Sequence, residues 1–286
     1  MDATYLSLLI FTIITILYYF LKPKLTMNIL DKTLSNDPDL EAKYTKKSYL
    51  YLIIYVLLII ITQFFINSSI VINKCGGNLK DNFAAGALMT FIPWVFIFGS
   101  IVLILIIFPG FKSAFSNVVG YFAVSGEATT ILNELLVNAD MQEAINKEDT
   151  TPEKKAELQR SAEAIIKLCG NASIMINQIV PENFMDYWSI LQPLMKDKYQ
   201  RSESGVELRN LQDRLLSVVI TRDNIGEAMW YFYTAILLIS IIQYNLTSRG
   251  CVMDPATMAA NHQKFVEEED AQLKQNENSA DQLYVA

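Results

Sequence analysis

The chain has 286 residues, of which 52% are hydrophobic and 19% are charged, and its formal net charge is −7. This composition is too apolar for an ordinary soluble protein and too polar for a bundle made only of membrane spans, so we expect a membrane unit and a water-facing unit. The negative charge argues against a sequence-independent nucleic-acid binder, because such a protein needs a basic surface to displace counterions from phosphates.

Four charge-free hydrophobic segments predict membrane-spanning helices. A bilayer core about 30 Å thick is crossed by roughly 20 apolar residues in a helix. Segments of this kind are Thr4–Leu21, Tyr49–Ile66, Leu88–Phe108 and Ala228–Leu246, and none of them contains Asp, Glu, Lys or Arg. Tyrosine and tryptophan cluster near the ends of most of these segments, where amphipathic rings favour the headgroup layer. Buried core helices of a large soluble protein are the alternative, but four such segments in one chain favour spans.

The distribution of lysine predicts how the spans are oriented. The connection after the first span carries Lys22, Lys24, Lys32, Lys43, Lys46 and Lys47, whereas the residues before that span carry no Lys or Arg. Because cytoplasmic connections are enriched in Lys and Arg, this connection is expected inside and the N-terminus outside. Alternating crossings then place residues 67–87 and the tail after Thr247 outside, and residues 109–227 inside.

Two of the three cysteines fall on the predicted outer side. Cys75 and Cys251 each lie a few residues from a span, whereas Cys169 falls on the inner side. If the outer side is oxidising, a disulfide between Cys75 and Cys251 is possible. Two unpaired thiols fit the sequence equally well, because the distance between the two residues decides whether they can bond.

The segment between the third and fourth spans is predicted to contain a small helical bundle that faces water. Apolar residues recur at helical spacing in four stripes, which begin at Ile131, Leu158, Phe184 and Leu208. Alternation of β-branched residues is absent from the segment, so no sheet is expected.

The expected architecture is all-α, with four transmembrane helices and a helical soluble domain inserted between the third and fourth spans. The corresponding divisions are residues 1–108 for the first three spans, 109–227 for an interfacial helix and the bundle, 228–250 for the fourth span and 251–286 for the tail. The tail is polar and acidic, with four consecutive carboxylates at residues 267–270, and is expected to be partly flexible.

Motifs for enzymatic, metal or cofactor chemistry are missing from the sequence. It contains no phosphate-binding or dinucleotide-binding glycine loop, no zinc-protease motif and no hydrolase nucleophile elbow. There is no C-x-x-C pair, and His262 is the only histidine. The spans carry no ionisable group of the kind that marks ion pathways, and we expect their strongest polar residues, Gln63 and Gln243, to bond to neighbouring helices. We therefore expect no enzyme, no cofactor and no small-molecule substrate.

The segment after the third span predicts an elbow at the inner membrane surface. Phe108-Pro109-Gly110 should turn the chain where the span ends. Beyond this turn, apolar residues recur at helical spacing, namely Phe111, Phe115, Val118, Val119 and Phe122. The opposite side carries Lys112, Ser113, Ser116 and Asn117. This pattern is typical of an amphipathic helix that lies in the headgroup plane, and a plain membrane elbow is the simpler alternative.

The elbow sequence FPGFKSAFSNVVGY, with Pro93-Trp94 before it and Cys75-Gly76-Gly77 upstream, resembles a membrane protein family of large icosahedral nucleocytoplasmic DNA viruses, including chloroviruses. The family pattern reads approximately FPGW-K-x-P-FSN-x-x-GY, and here Phe111 stands in place of the tryptophan and Ala114 in place of the proline. The resemblance implies that the family-defining elbow consists of Pro109, Gly110, Phe111, Lys112, Phe115, Ser116, Asn117, Gly120 and Tyr121.

The resemblance implies a virion structural protein in the internal membrane beneath the capsid, assembled from host endomembrane. Its expected partners are the lipid bilayer and capsid or other minor capsid proteins, with no nucleic acid. Such a protein anchors the membrane to the shell as a minor capsid component and is not an enzyme. The residues leave two alternatives open: a host-type endomembrane scaffold or channel subunit, and a membrane-bound enzyme.

Overall fold

The structure is a computed structural model, and it describes residues 3–31, 37–80, 82–136, 172–200, 205–248, 250–251, 259–260 and 262–273. Every regular element in these residues is helical, apart from an isolated β-bridge between Leu136 and Met195. The all-α prediction is therefore confirmed for the described part of the chain. The apolar stripe predicted to begin at Leu158 lies outside the described residues.

The first three predicted spans lie in long helices. The elements of this part are α1 (Ala3–Leu21), α2 (Met27–Leu30), α3 (Leu40–Cys75) and α4 (Phe83–Ile107). At 36 residues, α3 rises about 54 Å and therefore extends well beyond a bilayer core. Within α4, the hydrogen bonding becomes π-helical at Ile92–Phe98, where Pro93 has no N–H to donate.

The elements that follow the elbow belong to the predicted water-facing domain and the fourth predicted span. They are α5 (Tyr121–Leu135), α6 (Ala172–Gln178), α7 (Phe184–Leu191), α8 (Asp197–Gln200) and α9 (Gly205–Ser248). Among the described residues, α9 completes a set of four helices that are long and apolar enough to cross a membrane. The division expected between residues 227 and 228 falls inside α9, which continues without a break. The acidic tail also contains helical residues at 262–273.

Two separate apolar cores both include side chains from α9. The core of the water-facing domain includes Ile131, Ile176, Trp188, Leu215 and, from α2, Met27. The core between the spans includes Phe11, Ile59, Trp94, Phe98 and Tyr231. Because one helix is packed into both cores, the domain and the spans are joined by more than a flexible connection.

Large apolar side chains cover the outer surface of the span helices. On α3, Ile53, Ile54, Leu57 and Ile61 are each more than half exposed. Soluble monomers rarely expose contiguous apolar patches larger than a few hundred Å². Contact with lipid accounts for this surface, so the exposed faces support the assignment of the long helices as membrane spans.

Buried amide side chains join the spans to one another. Gln63 of α3 accepts a hydrogen bond from the Ser7 hydroxyl of α1 and donates one to the Ser7 carbonyl oxygen at 3.2 Å. One turn further along α3, Asn67 donates to Thr90 Oγ1 of α4 at 3.0 Å. Such bonds stabilise helix association in a solvent that is as apolar as the helices themselves. The helix-to-helix role predicted for Gln63 thus has its partner in Ser7, whereas the Nε2 atom of Gln243, the other glutamine with this predicted role, is buried with no hydrogen-bond partner in the described part of the chain.

We expect Gln63→Leu to lower the free energy of unfolding by about 0.6–1.7 kcal/mol, from the average to the largest value measured for hydrogen bonds between spans. The loss follows from removing both contacts with Ser7. Unfolding in bicelles, followed by circular dichroism, measures it. Thr62→Val is the matched control, because the Thr62 hydroxyl donates to carbonyls of its own helix. Equal stabilities of the two variants would contradict the assigned role.

A buried arginine connects α9 to the end of α6. Arg222 is 1% exposed, and its guanidinium donates to the carbonyl oxygen of Ile176 and, at 2.7 Å, to that of Ile179. The last carbonyls of a helix have no partner within that helix, and a positive charge is favourable beside them. Arg222 therefore fixes the position of α6 on α9.

Candidate functional site at the elbow

The elbow consists of residues Phe108 to Tyr121. It contains three short helical segments, which begin where the third predicted span ends. The backbone of Phe108 departs from helical values (φ −123°, ψ 74°) and is followed by a 3-10 turn at Pro109–Lys112. An α-helical turn at Ser113–Phe115 and a π-helical turn at Ser116–Gly120 lead into α5. The predicted turn is present, but the single amphipathic helix is divided into these segments. Pro109 contributes to this division because it suits the start of a new turn and has no N–H.

Two glycines allow the elbow to pack closely against α9. A Cβ atom on Gly120 would lie 2.5 Å from the carbonyl oxygen of Arg222. A Cβ atom on Gly226 would lie 2.6 Å from Ser116 Cβ and 2.9 Å from the Lys112 carbonyl oxygen. Since backbone atoms are among these neighbours, a larger residue at either position requires the two segments to separate. Gly120 is thus needed for the close packing of the elbow against α9.

Lys112 turns toward α9 and enters a buried group of opposite charges. Its Nζ atom lies 2.9 Å from Asp223 Oδ2 and 3.3 Å from Glu227 Oε2. From the end of α1, Lys22 donates to Asn224 Oδ1 at 2.6 Å and lies 4.0 Å from Glu227. The four charged side chains are only 11–19% exposed. This charged cluster of Lys22, Lys112, Asp223 and Glu227 joins α1, the elbow and α9.

Glu227, one residue before the fourth predicted span, is the centre of the charged cluster. Tyr19 and Tyr231 donate hydrogen bonds to its Oε1 at 3.1 and 3.2 Å. Burial would raise the pKa of Glu227, but Lys22 and Lys112 outweigh burial and hold that pKa below 4.5. For Lys112, burial acts to lower the pKa, and Glu227 reverses this and raises it above 10.5. Burial lowers the pKa of Lys22, and the attraction of Glu227 offsets this only in part.

The apolar side of the elbow faces outward beside the ends of the spans. Phe111, Val118 and Phe122 are 54%, 68% and 83% exposed. Phe115 instead packs edge-to-face on Trp230, with ring centroids 5.1 Å apart, and the Trp230 indole donates to the Phe111 carbonyl oxygen at 2.9 Å. An exposed apolar face in this position suits the headgroup layer. On the opposite, polar side, Lys112 and Ser116 contact α9, whereas Ser113 is exposed.

The remaining residues of the predicted elbow site have different surroundings. Pro109 and Gly110 are exposed. The carbonyl oxygen of Asn117 accepts a hydrogen bond from Asn177 Nδ2 at 3.3 Å. Tyr121 packs against the core of the water-facing domain. The residues predicted as one elbow site therefore form two surfaces. The inner surface packs against the rest of the protein, and the outer surface is exposed.

The ends of α3 and α9 are linked on the side opposite the elbow. The sulfur atoms of Cys75 and Cys251 are 1.99 Å apart and their Cα atoms 5.4 Å apart, so the two residues form a disulfide. Beside it, Lys74 Nζ donates to the carbonyl oxygens of Leu246 and Thr247 at 3.0 and 2.6 Å. Because disulfides persist in oxidising compartments, this linkage supports the prediction that this side is the outer one.

We expect Cys75→Ser to abolish a reductant-dependent shift in electrophoretic mobility. The disulfide joins residues 176 positions apart, so the oxidised chain remains looped and compact when it is denatured. Electrophoresis with and without reductant measures the difference. Cys169→Ser, whose position lies outside the described residues, is the control and should keep the shift. A wild-type chain with no shift would contradict the disulfide.

Asp223, Asn224 and Glu227 belong to the site but were not identified from the sequence. Asp223 and Glu227 are four residues apart directly before a span, a spacing that places both on one face of a helix. The lysines that match them stand directly after the first span and four residues after the third. The positions of these charged residues beside the spans can be read from the sequence. Which lysine pairs with which carboxylate depends on how distant helices pack.

Comparison with known proteins gives the chain no relatives. The chain matches no protein-family model, no curated protein and no solved structure. The resemblance of the elbow to the viral membrane protein family therefore stays a prediction.

Proposed function

We propose that the chain is a non-enzymatic structural anchor of a virion, which fixes a helical domain to the internal membrane beneath the capsid as a minor capsid component. The observation that carries the anchoring role is α9, a single helix of 44 residues shared by the domain core and the span core. An anchor has to hold its domain at a fixed position, and a continuous helix does this better than a flexible connection. The virion setting rests on the resemblance of the elbow.

The elbow braces this helix at the membrane boundary. The close contacts at Gly120 and Gly226 and the ion pairs of Lys112 attach the elbow to α9 just before the fourth span begins. α1 is attached at the same level through Lys22 and Asn224. The helix is therefore held from two sides where bending would otherwise change the position of the domain.

In this proposal the outer surface of the elbow contacts the capsid or other minor capsid proteins. Pro109 and Gly110 are accessible for such a contact, and Phe111, on the exposed apolar face, holds the elbow at the headgroup layer beside it. Lys112, Ser116 and Gly120 face α9 and hold the accessible residues in position. The partner contact expected for the whole elbow is thus assigned only to its exposed residues.

Purified particles test the proposed setting. We expect mass spectrometry to find the chain at a constant ratio to the main shell protein in every preparation. It should survive protease treatment of intact particles and be released only when detergent dissolves the internal membrane. An abundant host endomembrane protein is the control for membranes that purify together with particles. Absence from the particles, with the chain present in host membranes, would favour the endomembrane scaffold instead.

A further inference from the structure

A cleft of about 1260 Å³ lies beside the charged cluster at the inner membrane boundary. Its walls come from the end of α1, the connection containing α2, the start of α3, the end of α4, the elbow, the turn that leads into α7 and the first half of α9. Pockets for small molecules usually measure about 300–1,000 Å³. The cleft exceeds this range and is large enough for part of one of the amphiphilic molecules that surround the spans.

The floor of the cleft lies about one helical turn inside the membrane. Tyr18, Leu52, Leu105 and Tyr231 line the cleft, and each stands three residues inside the end of its predicted span. At 1.5 Å per residue this depth is about 4.5 Å. The predicted spans match the hydrocarbon core in length. The cleft therefore reaches from water about one helical turn into the hydrocarbon core.

The water-facing wall carries charges of both signs. The charged cluster contains two lysines and two carboxylates and is neutral as a unit. Beyond it, the wall carries the cations Lys24 and Arg209 and the carboxylates Glu41, Glu182 and Asp213. Within the described residues, neither Lys24 nor Arg209 forms an ion pair. A wall with charges of both signs matches a ligand group that carries one positive and one negative charge.

We propose that the cleft binds the headgroup and glycerol region of one zwitterionic phospholipid from the inner leaflet. The phosphate lies toward Lys24 and Arg209, and the ammonium lies toward Glu182 and Asp213. The acyl chains leave past Leu52 into the bilayer. An anionic lipid without an ammonium group, such as phosphatidylglycerol, fits less well, because it supplies no cation for the carboxylates. This site requires only a membrane and does not depend on the virion setting.

Native mass spectrometry of the delipidated full chain tests the proposal with dioleoyl phosphatidylcholine as the probe. We expect one saturable lipid per chain, and binding weakened about tenfold by Ser48→Trp, which fills the mouth of the cleft. Leu50→Trp is the matched control, because Leu50 is exposed on the outer face of α3 and does not line the cleft. It should bind within about twofold of wild type.

A second pair of variants tests the cleft independently, so that the test does not depend on the folding of Ser48→Trp. Lys24→Glu, at the water end of the cleft, should also weaken binding several-fold, whereas Lys46→Glu, outside the cleft, should not. Thermal melting of each variant shows whether the fold is retained. The proposal is overturned if dioleoyl phosphatidylglycerol binds as tightly as phosphatidylcholine, or if folded Ser48→Trp and Lys24→Glu both bind like wild type.

Discussion

Lys112→Met is expected to lower the free energy of unfolding by about 3 kcal/mol, measured by denaturation in bicelles. The substitution leaves Asp223 and Glu227 buried without their nearest cation. Removing one partner of a buried ion pair costs about 3–5 kcal/mol, because the remaining charge is unpaired away from water. The lower end applies here because Lys22 still lies 4.0 Å from Glu227. A loss below about 1 kcal/mol, the worth of an exposed pair, would contradict the buried cluster.

A compensating variant separates the lost charge pairing from lost packing. Lys112→Met combined with Asp223→Asn removes a cation and an anion together, so we expect it to recover at least half of the stability lost by Lys112→Met alone. A double variant that is less stable than Lys112→Met would show that side-chain packing, rather than charge, determines the effect.

The charged cluster also predicts how stability depends on pH. Glu227 has a pKa below its usual 4.5 in the folded chain, so its contribution is complete above pH 4.5 and is lost as the pH falls through the lower, folded value. Lys112 has a raised pKa, so its contribution is complete below pH 10.5 and is lost only above that. We expect the stability difference between wild type and Glu227→Gln to be constant near neutral pH and to shrink below pH 4.5. A difference that grows on acidification would contradict this assignment.

Gly120→Ala is the second change with a large expected effect. The added Cβ atom would lie 2.5 Å from the carbonyl oxygen of Arg222, a backbone atom of α9 that is held in its helix. Overpacking of this kind costs about 1–3 kcal/mol, which exceeds the roughly 1 kcal/mol that alanine gains over glycine in a helix. We therefore expect a net loss of stability, together with increased exposure of Trp230 to a fluorescence quencher as the elbow moves away from α9.

Gly126→Ala is the matched control for this change. Gly126 lies six residues after Gly120, in α5, and an added Cβ atom there meets nothing within 4 Å. Only the gain in helix propensity remains, so this variant should be as stable as wild type or more stable. Similar destabilisation of both variants would show that α5 tolerates no alanine for reasons other than contact with α9.

The spans could be located from the sequence because lipid imposes a simple requirement. A helix that crosses a bilayer needs a long run without charges, and this can be read without knowing its neighbours. The structure places all four segments in helices of sufficient length. Cys75 and Cys251 could be assigned to the same side by counting crossings, but their 5.4 Å separation follows from the packing of α3 against α9.

The continuity of α9 could not be predicted from the sequence, because it depends on contacts with distant parts of the chain. The residues from Arg222 to Glu227 are charged, polar or glycine for the most part, a composition that normally indicates the end of a helix and the start of a connection. In the structure, Arg222 bonds to the end of α6 and the carboxylates bond to lysines outside α9. Each of these partners comes from a distant part of the chain. Local pattern therefore suggested a boundary where tertiary contacts stabilise a helix.

The length of α9 in a bilayer is the most direct test of the anchoring role. Val206 and Tyr244 are exposed near its two ends. Spin labels at these positions, in a Cys169→Ser background in nanodiscs, are 38 residues apart, which corresponds to about 57 Å along one helix. Electron–electron resonance should give a single narrow distribution near that distance. A broad distribution, or one centred well below it, would mean that the helix bends at the membrane boundary, and the chain would then not be a rigid anchor.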